Sequence, residues 1–300
     1  MKIGITSYAF PWSLQQPRFR SHLERCRWLL DEAGRLGVGV VQLADNVHLS
    51  EIEPAGLRQL VDQARESDLE LEVGIRGLEP AQLYEALRNA RTLQAGLIRT
   101  VPDLWPDQGV RWVERLRALA PVLQTAGVVL AIENHGRVPA RQLGDLIQAV
   151  NSPSIGVCLD TVNSLENGED LYSVVEALRP WVVNLHLKDV RIFRPAHQLG
   201  LIAEGCPLGK GIVDLKWLWR HLPGAVASHA LVETWTPPQS TPEETCAMEQ
   251  VWVEESLRVV KDSQKAWVSW TEGPERNELR ESDTASGDCR GWGKNGAARC

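Results

Sequence analysis

The chain has 300 residues, of which 43% are hydrophobic, and its formal net charge at pH 7 is −7. This acidic balance argues against a protein that binds nucleic acid or an anionic membrane surface. No run approaches the roughly 18 apolar residues that a membrane span needs, and the N-terminus has no signal-peptide pattern, so we expect a cytoplasmic protein.

Segments with the pattern of strands and of helices alternate along the chain. Strands are predicted at 2–8, 40–46, 69–77, 97–103, 128–134, 155–163, 182–190 and 229–235. Helices are predicted at 18–36, 54–68, 80–95, 109–127, 139–150, 169–179, 214–221 and 242–262. A long loop is expected between the seventh strand and the helix that follows it.

This alternation of eight strands and eight helices implies parallel strands joined by right-handed crossovers. We therefore predict an α/β fold, a closed (β/α)8 TIM barrel that forms a single domain over residues 1–262. The alternative is a doubly wound open sheet, but the first turn, SYAFPW, lacks the Gly-rich pattern of its nucleotide-binding forms. Residues 263–300 have no apolar periodicity and are rich in Gly, Ser and charge, so we predict a flexible, disordered tail.

The seventh predicted strand, VVNLHLKDV, carries polar side chains in an otherwise apolar run. Asn184, His186 and Lys188 are two residues apart, so their side chains point to one face of the strand. Burying three polar groups is costly unless other groups pair with them. The strand therefore predicts a polar site inside the barrel.

Polar residues also end the neighbouring strands. Glu133 ends the fifth, Asp160 the sixth and Glu233 the eighth, so with His186 they ring the C-terminal mouth, where barrel active sites lie. Three carboxylates in one place repel each other unless a cation lies among them. Three oxygen ligands and one nitrogen suit Mn²⁺, Mg²⁺, Co²⁺ or Zn²⁺, so we predict a divalent metal site. The alternative is that each residue is structural, as a helix-capping carboxylate or a satisfied core histidine.

Cysteine and tryptophan usage adds little to this prediction. The six cysteines are scattered, without a CxxC pair or a zinc-like spacing, so we predict that they are reduced, with Cys158 a small core residue. Most of the twelve Trp are interpreted as packing residues, whereas Trp12 and Trp235 lie beside site candidates and could line a pocket.

Five motifs follow one another in a recognisable order: IENHG, GVCLDTVNS, VVNLHLKDV, EGCPLGKGIVDL and LVETWTP. They resemble the xylose isomerase-like TIM-barrel superfamily of sugar phosphate isomerases and epimerases, and the resemblance covers residues 1 to 262. It implies that Glu133, Asp160, His186 and Glu233 bind one divalent metal ion, with Mn²⁺ favoured, and that the two glutamates exchange protons with a sugar or sugar-acid substrate. Members are commonly dimers or tetramers, so the resemblance implies a homo-oligomer, although the sequence shows no interface stripe.

Two features distinguish this chain within the resemblance. Ketose 3-epimerase members often have His three residues after the metal-binding Asp, whereas this chain has Asn163, which can bind a hydroxyl but cannot act as an acid. The loop RIFRPAHQLGLIAEGCPLGKG resembles members that act on branched or oxidised sugar derivatives, including the 3-oxo-isoapionate decarboxylases. Arg194 and His197 are therefore candidates for binding an anionic substrate group, since Arg offers a bidentate fork to a carboxylate. The alternative for Arg194 is a solvated loop residue.

Further polar residues have two interpretations each. Lys188 is expected to polarise a substrate oxygen or to pair with a ligand carboxylate, and His135 to hydrogen-bond the substrate or merely to begin a loop. Gln42 and Glu72 are candidates to face the barrel interior, where each needs a partner. The segment PLGKG at 207–211 offers backbone N–H groups to an anion, although a short Gly loop is more often a turn.

The predicted function is a metal-dependent sugar isomerase or epimerase that transfers a proton next to a carbonyl. The first alternative is a decarboxylase of a 3-oxo sugar acid, and the second is a non-catalytic sugar-binding barrel. A DNA-repair endonuclease of the same superfamily needs more His ligands and a basic groove, which seven His and an acidic chain do not supply.

Overall fold

A computed structural model describes residues 1–102, 109–136, 138–222 and 227–272. The strands are β1 (Lys2–Thr6), β2 (Val40–Leu43), β3 (Glu70–Arg76), β4 (Leu97–Val101), β5 (Val129–Glu133), β6 (Ile155–Asp160), β7 (Val182–Leu187), β8 (Asp189–Phe193), β9 (Ile202–Cys206) and β10 (His229–Val232). The helices are α1 (Pro11–Leu14), α2 (His22–Leu36), α3 (Pro54–Glu66), α4 (Pro80–Leu93), α5 (Gly109–Ala126), α6 (Ala140–Val150), α7 (Leu171–Leu178), α8 (Leu215–His221) and α9 (Pro242–Glu272).

Eight strands close into a barrel in the order β1-β10-β7-β6-β5-β4-β3-β2, and every neighbouring pair is parallel. This confirms the predicted TIM barrel, because strands that are neighbours in the barrel are also consecutive in the alternating pattern. Closure brings β1 against β2 at Gly4, where a Cβ atom would lie 2.2 Å from the carbonyl oxygen of Val40. A glycine is therefore required at this crossing.

Helix boundaries follow from local chemistry. Ser21 accepts a hydrogen bond from the backbone N–H of Glu24 at 3.2 Å and so begins α2, and Gly37 ends it in the left-handed conformation at φ 60°. The inner face of α2 carries Leu29 and Leu30, which are fully buried. Burial of each contributes about 1.5–3 kcal/mol to the stability of the barrel.

Two differences from the predicted elements stand out. The long loop after the seventh strand contains an antiparallel hairpin of β8 and β9, whose outer residues are exposed and so lack the continuous apolar run of a barrel strand. The last helix continues to Glu272, past the predicted start of the tail at 263, because the first helix-breaking residues after its start are Gly273 and Pro274. The remainder of the predicted tail, 273–300, lies outside the described residues. Across the described ranges, no helix is both long and apolar enough to cross a membrane.

Candidate active site

The four predicted ligands meet inside the C-terminal mouth of the barrel. Glu133 is the last residue of β5, Asp160 the last of β6, and Glu233 follows β10, while His186 lies within β7 and pairs in register with Asp160. All four side chains are buried. The barrel therefore brings together residues that are up to a hundred positions apart in the chain.

The imidazole of His186 lies between the two glutamates. Its Nδ1 atom is 3.2 Å from Oε2 of Glu133 and 3.1 Å from Oε1 of Glu233. Ligand atoms of Asp160, His186 and Glu233 all lie within 4.8 Å of one another. This spacing is suited to one small cation with several protein ligands.

Oδ2 of Asp160 and both ring nitrogens of His186 are buried atoms that make no well-directed hydrogen bond within the described part of the chain, although Lys188 lies 2.9 Å from Oδ2 and two carboxylates lie within 3.2 Å of Nδ1. The other carboxylate oxygen of Asp160 accepts hydrogen bonds from the backbone N–H groups of Val162 and Asn163, each at 2.8 Å, which orients Oδ2. Buried polar atoms without partners are costly, and a divalent metal would satisfy them. The residues therefore fit the metal that the sequence predicts.

The carboxylates also have positive partners within the protein. Lys188 is 4% exposed, and its Nζ lies 3.0 Å from Oε2 of Glu233 and 2.9 Å from Oδ2 of Asp160. The guanidinium of Arg99 donates from Nε to Oε2 of Glu133. The sequence argument that a metal is needed to separate the carboxylates is thus incomplete, because two buried cations already offset part of their repulsion.

Each glutamate is held by one cation and one neutral donor. Glu133 accepts from Arg99 and from Nδ2 of Asn163 at 2.5 Å, whereas Glu233 accepts from Lys188 and from the Thr6 hydroxyl at 2.9 Å. Four donors on four different strands or turns therefore fix the two carboxylates on either side of the imidazole.

These contacts determine the charge of the carboxylates. Burial raises the pKa of Glu133, but the positive charges of Arg99 and His186 outweigh it and bring the pKa down to about 2. Burial likewise opposes ionisation of Glu233, and the charge of Lys188 holds its pKa well below the usual range. Both glutamates are therefore ionised at neutral pH.

Arg99 also contacts Asp45, which belongs to a polar group that the sequence analysis did not predict. Asp45 lies 3.4 Å from the guanidinium of Arg99 and 3.5 Å from that of Arg76, and it accepts from the Tyr8 hydroxyl at 3.1 Å. Burial and the charge of Asp45 raise the pKa of Tyr8 to about 12, so the phenol stays protonated. Arg99 interrupts the apolar run LIRTV much as His186 interrupts its own strand, and this signal could have identified it.

Of the predicted substrate-binding residues, Asn163 and Lys188 contact the carboxylates directly, as described above. His135 is half-buried two residues after Glu133, its Nδ1 has no hydrogen-bond partner in the described residues, and burial lowers its pKa. Arg194 and His197 lie in the exposed turn between β8 and β9, and neither makes a hydrogen bond or ion pair with a described residue. The hairpin thus holds these two side chains out in solvent rather than against the carboxylates.

The glycine loop at 207–211 already holds an anion of the protein itself. Asp189 accepts from the backbone N–H groups of Gly209 at 2.9 Å, Gly211 at 3.0 Å and Val213 at 3.0 Å, and from its neighbour Val190 at 2.9 Å. These donors are therefore engaged, and the loop is a turn fastened to the start of β8.

Gln42 and Glu72 face the barrel interior, as predicted, but lie below the site. Glu72 accepts from Gln42 at 2.8 Å, from Asn184 at 2.8 Å and pairs with Nδ1 of His229 at 2.5 Å. The polar face of β7 thus serves two purposes, since Asn184 belongs to this lower group and His186 to the upper one.

Trp12 and Trp235, the two tryptophans predicted to line a pocket, differ in their burial and contacts. Trp12 is half-buried and donates from its indole nitrogen to the carbonyl of Thr236 at 2.9 Å, whereas Trp235 is 45% exposed. The ammonium of Lys188 lies 4.6 Å from the ring centroid of Trp235. Trp235 therefore forms part of the site wall, with a cation–π contact to Lys188.

Comparison with known proteins gives concordant results. The family model described as xylose isomerase-like TIM barrel matches residues 74–261. A 3-oxo-isoapionate decarboxylase of Pectobacterium atrosepticum is 32% identical over 260 residues, which are 86% of this chain and 94% of that protein. A 2-epi-5-epi-valiolone 7-phosphate 2-epimerase of Actinoplanes sp. is 31% identical over 169 residues, 54% of each chain. The solved structure of an L-ribulose 3-epimerase superposes with a TM-score of 0.66 at 15% identity, covering 97% of this chain and 99% of that one.

Proposed function

Because the chain belongs to the xylose isomerase-like TIM barrel family, we propose that it is a metal-dependent enzyme acting next to the carbonyl of a small sugar derivative. We propose decarboxylation of a 3-oxo sugar acid as its reaction. The observation that carries this proposal is the buried cluster itself, in which three carboxylates and an imidazole share space with the cations Arg99 and Lys188. A relative that matches along 94% of its own length is a 3-oxo-isoapionate decarboxylase, which supports the same choice.

Glu133, Asp160, His186 and Glu233 are the residues that would hold the metal, and we propose Mn²⁺. When bound there, a divalent metal supplies a Lewis acid that favours negative charge on the substrate carbonyl oxygen. Oδ2 of Asp160 and the ring nitrogens of His186 support this assignment, because they are buried and make no well-directed hydrogen bond to a described residue.

Decarboxylation requires the bond between the carboxylate carbon and its neighbour to break. The electron pair of that bond moves into the adjacent carbonyl, CO₂ leaves, and the enolate carbon then takes a proton. We assign proton delivery to Glu133 or Glu233, which relay it from water because both are ionised at neutral pH. Asn163 and Thr6 hold these carboxylates in place.

A carboxylate substrate also needs positive groups beside the site. We propose that Arg76 fills this role, since it is partly exposed and joined to Arg99 through Asp45. Lys188 is the second candidate, because it lies against the partly exposed Trp235 at the wall of the site. Arg194 and His197, whose side chains are exposed on the turn between β8 and β9, stay predicted substrate-binding residues.

Epimerisation or isomerisation of a ketose is the second candidate. It is favoured by one observation, namely that carboxylate oxygens of both Glu133 and Glu233 lie close to the same imidazole nitrogen, at 3.2 and 3.1 Å. Two carboxylates on opposite sides of a substrate can remove a proton from one face and return it to the other.

The test is an NMR time course in D₂O with Mn²⁺-loaded protein and a panel of 3-oxo sugar acids, ketoses and ketose phosphates. We expect loss of the carboxyl carbon as CO₂, with deuterium taken up at the carbon that carried it. Deuterium exchange beside the carbonyl with all carbons retained would instead establish the epimerase.

Two variants accompany this experiment. Glu133→Gln is expected to abolish turnover while the protein still binds substrate, and the exposed Glu66→Gln on α3 is the matched control. Absence of any Mn²⁺-dependent change across the panel would refute the enzyme and favour a sugar-binding barrel.

A further inference from the structure

We propose that Cys158 gives the site a second, sulfur-containing set of metal donors, through which it binds thiophilic divalent cations such as Cd²⁺ and Zn²⁺. The donors of this set are Glu133, Cys158 and His186. The proposal rests on the metal site of the proposed function and adds a class of ligand that the four oxygen and nitrogen donors do not supply.

Strand register places the thiol in the site. Cys158 pairs with Glu133 across β5 and β6, and it lies two residues before Asp160, so both side chains of β6 point into the barrel. One ligand atom from each of Glu133, Cys158 and His186 lies within 4.8 Å of the other two. These three residues are completely buried.

The imidazole is common to both donor sets. Neither Nδ1 nor Nε2 of His186 makes a well-directed hydrogen bond to a described residue, although the ring is completely buried and Nδ1 lies 3.2 Å from Glu133 and 3.1 Å from Glu233. In the first donor set, His186 is joined by the carboxylates of Asp160 and Glu233, which suit hard cations such as Mn²⁺ and Mg²⁺. In the second, sulfur-containing set, His186 is joined by the thiol of Cys158, and sulfur is the ligand that soft and borderline cations prefer.

The thiol is weakly engaged by the protein. Its described hydrogen bond runs from Sγ to Oδ1 of Asn184 at 3.6 Å, and a thiol is a weak donor. The thiolate is the form that binds metal, so the thiol proton leaves to solvent as the metal–sulfur bond forms.

A purely structural Cys158 would behave differently. Its side chain packs with Leu97 and Ala131, and a small core residue there needs only volume. Cys26 provides the matched comparison, since it is equally buried on α2 but belongs to no group of potential metal ligands among the described residues.

The first test is a Co²⁺ titration followed by absorption, on the full chain and on the variants Cys158→Ser and Cys26→Ser. We expect a near-ultraviolet thiolate-to-cobalt charge-transfer band in the wild type and in Cys26→Ser. Cys158→Ser is expected to bind Co²⁺ without that band, because the other donors remain.

The second test compares Cd²⁺ and Mn²⁺ affinity by competition. We expect Cys158→Ser to weaken Cd²⁺ binding by about tenfold or more, because losing even a residue that hydrogen-bonds to a metal ligand costs about tenfold in metal affinity. Mn²⁺ affinity should be nearly unchanged, since Mn²⁺ prefers the oxygen and nitrogen donors.

The outcomes separate this inference from the proposed function. Wild-type protein that binds Co²⁺ without a charge-transfer band overturns the sulfur ligand and leaves the oxygen and nitrogen site standing. Wild-type protein that binds neither Co²⁺ nor Mn²⁺ overturns both. Absence of the band from the wild type decides against the proposal even where Cys158→Ser is poorly folded, and a band that persists in both Cys158→Ser and Cys158→Ala overturns it as well.

Discussion

Lys188 is a buried cation whose two carboxylate partners, Asp160 and Glu233, are also buried. We expect Lys188→Met to lower the free energy of unfolding of metal-free protein by about 3–5 kcal/mol, because it leaves buried carboxylates without compensation. Added Mn²⁺ should restore part of the loss, since the metal supplies the missing positive charge. Urea unfolding with and without Mn²⁺ measures this, with the exposed Lys216→Met on α8 as control. Equal stability of the two variants would contradict the described pairing.

Arg76 is the residue through which the substrate carboxylate is proposed to be recognised. Its guanidinium lies 3.5 Å from Asp45 and its side chain is 43% exposed, and we propose that it also contacts a ligand in the mouth. We expect Arg76→Gln to raise the KM for a 3-oxo sugar acid by about tenfold, the equivalent of about 1.5 kcal/mol for one hydrogen bond to a charged group, with little change in kcat. The control is Arg58→Gln, an exposed residue on α3. An unchanged KM would remove Arg76 from the site.

Single residues were predictable from the sequence where the backbone alone fixes their direction. The sequence predicted His186 as a site residue because a polar side chain in an otherwise apolar strand needs a polar partner inside the barrel. Arg99 carries the same signal, because it interrupts the apolar run LIRTV. Arg194 and His197 were predicted to bind substrate because their loop resembles that of family members. Their exposure on the hairpin depends on backbone geometry, which the residue types alone do not specify.

At the scale of elements, Asp189 fastens the hairpin and the glycine loop to the barrel. Its two oxygens accept four backbone hydrogen bonds, including those of Gly209, Gly211 and Val213. We expect Asp189→Asn to cost about 1–3 kcal/mol, because the amide nitrogen replaces an acceptor and leaves backbone donors unsatisfied. Hydrogen exchange should accelerate at these three amides and remain unchanged in the exposed variant Asp62→Asn. Unaltered exchange at the loop would contradict the role of Asp189.

The floor of the barrel contains His229 of β10, which pairs with Glu72 of β3. Burial lowers the pKa of His229, but its hydrogen bond to Glu72 and the charges of Glu72 and Glu70 outweigh this and raise it above the ordinary value. Since the folded pKa exceeds the unfolded value of about 6.5, this stabilisation is complete below that pH and is lost as pH rises through the folded pKa.

We therefore expect the free energy of unfolding to fall as pH rises above about 6.5, and His229→Gln to remove this part of the slope. Urea unfolding at a series of pH values measures both proteins, with His197→Gln as an exposed control. A slope that is the same in wild type and His229→Gln would show that the pair does not contribute.

The boundaries of strands and helices were predictable because the spacing of apolar residues and the position of turn-forming residues set them locally. The predicted strand at 155–163 ends in the structure at Asp160, where its carboxylate accepts hydrogen bonds from the backbone N–H groups of Val162 and Asn163. The hairpin of β8 and β9 was missed because its stability comes from pairing between segments, and a half-exposed strand has no distinctive apolar run.

At the scale of the whole molecule, the barrel is what turns scattered residues into a site. Alternation of strands and helices was enough to predict closure, and closure alone carries Glu133, Asp160, His186 and Glu233 to one mouth. The internal cations Arg99 and Lys188 were not predictable as a pair, because their partners lie on other strands and only the closed barrel brings them together.

The central claim is that these four residues bind one divalent metal ion, and a Mn²⁺ titration followed by the electron paramagnetic resonance signal of free Mn²⁺ tests it most directly. The wild type and the exposed control His197→Gln should each take up a single equivalent, whereas His186→Gln should lose affinity by at least about tenfold because its unpartnered ring nitrogen is a ligand. Wild-type protein that leaves all Mn²⁺ free, or His186→Gln that binds as tightly as the wild type, would contradict the claim.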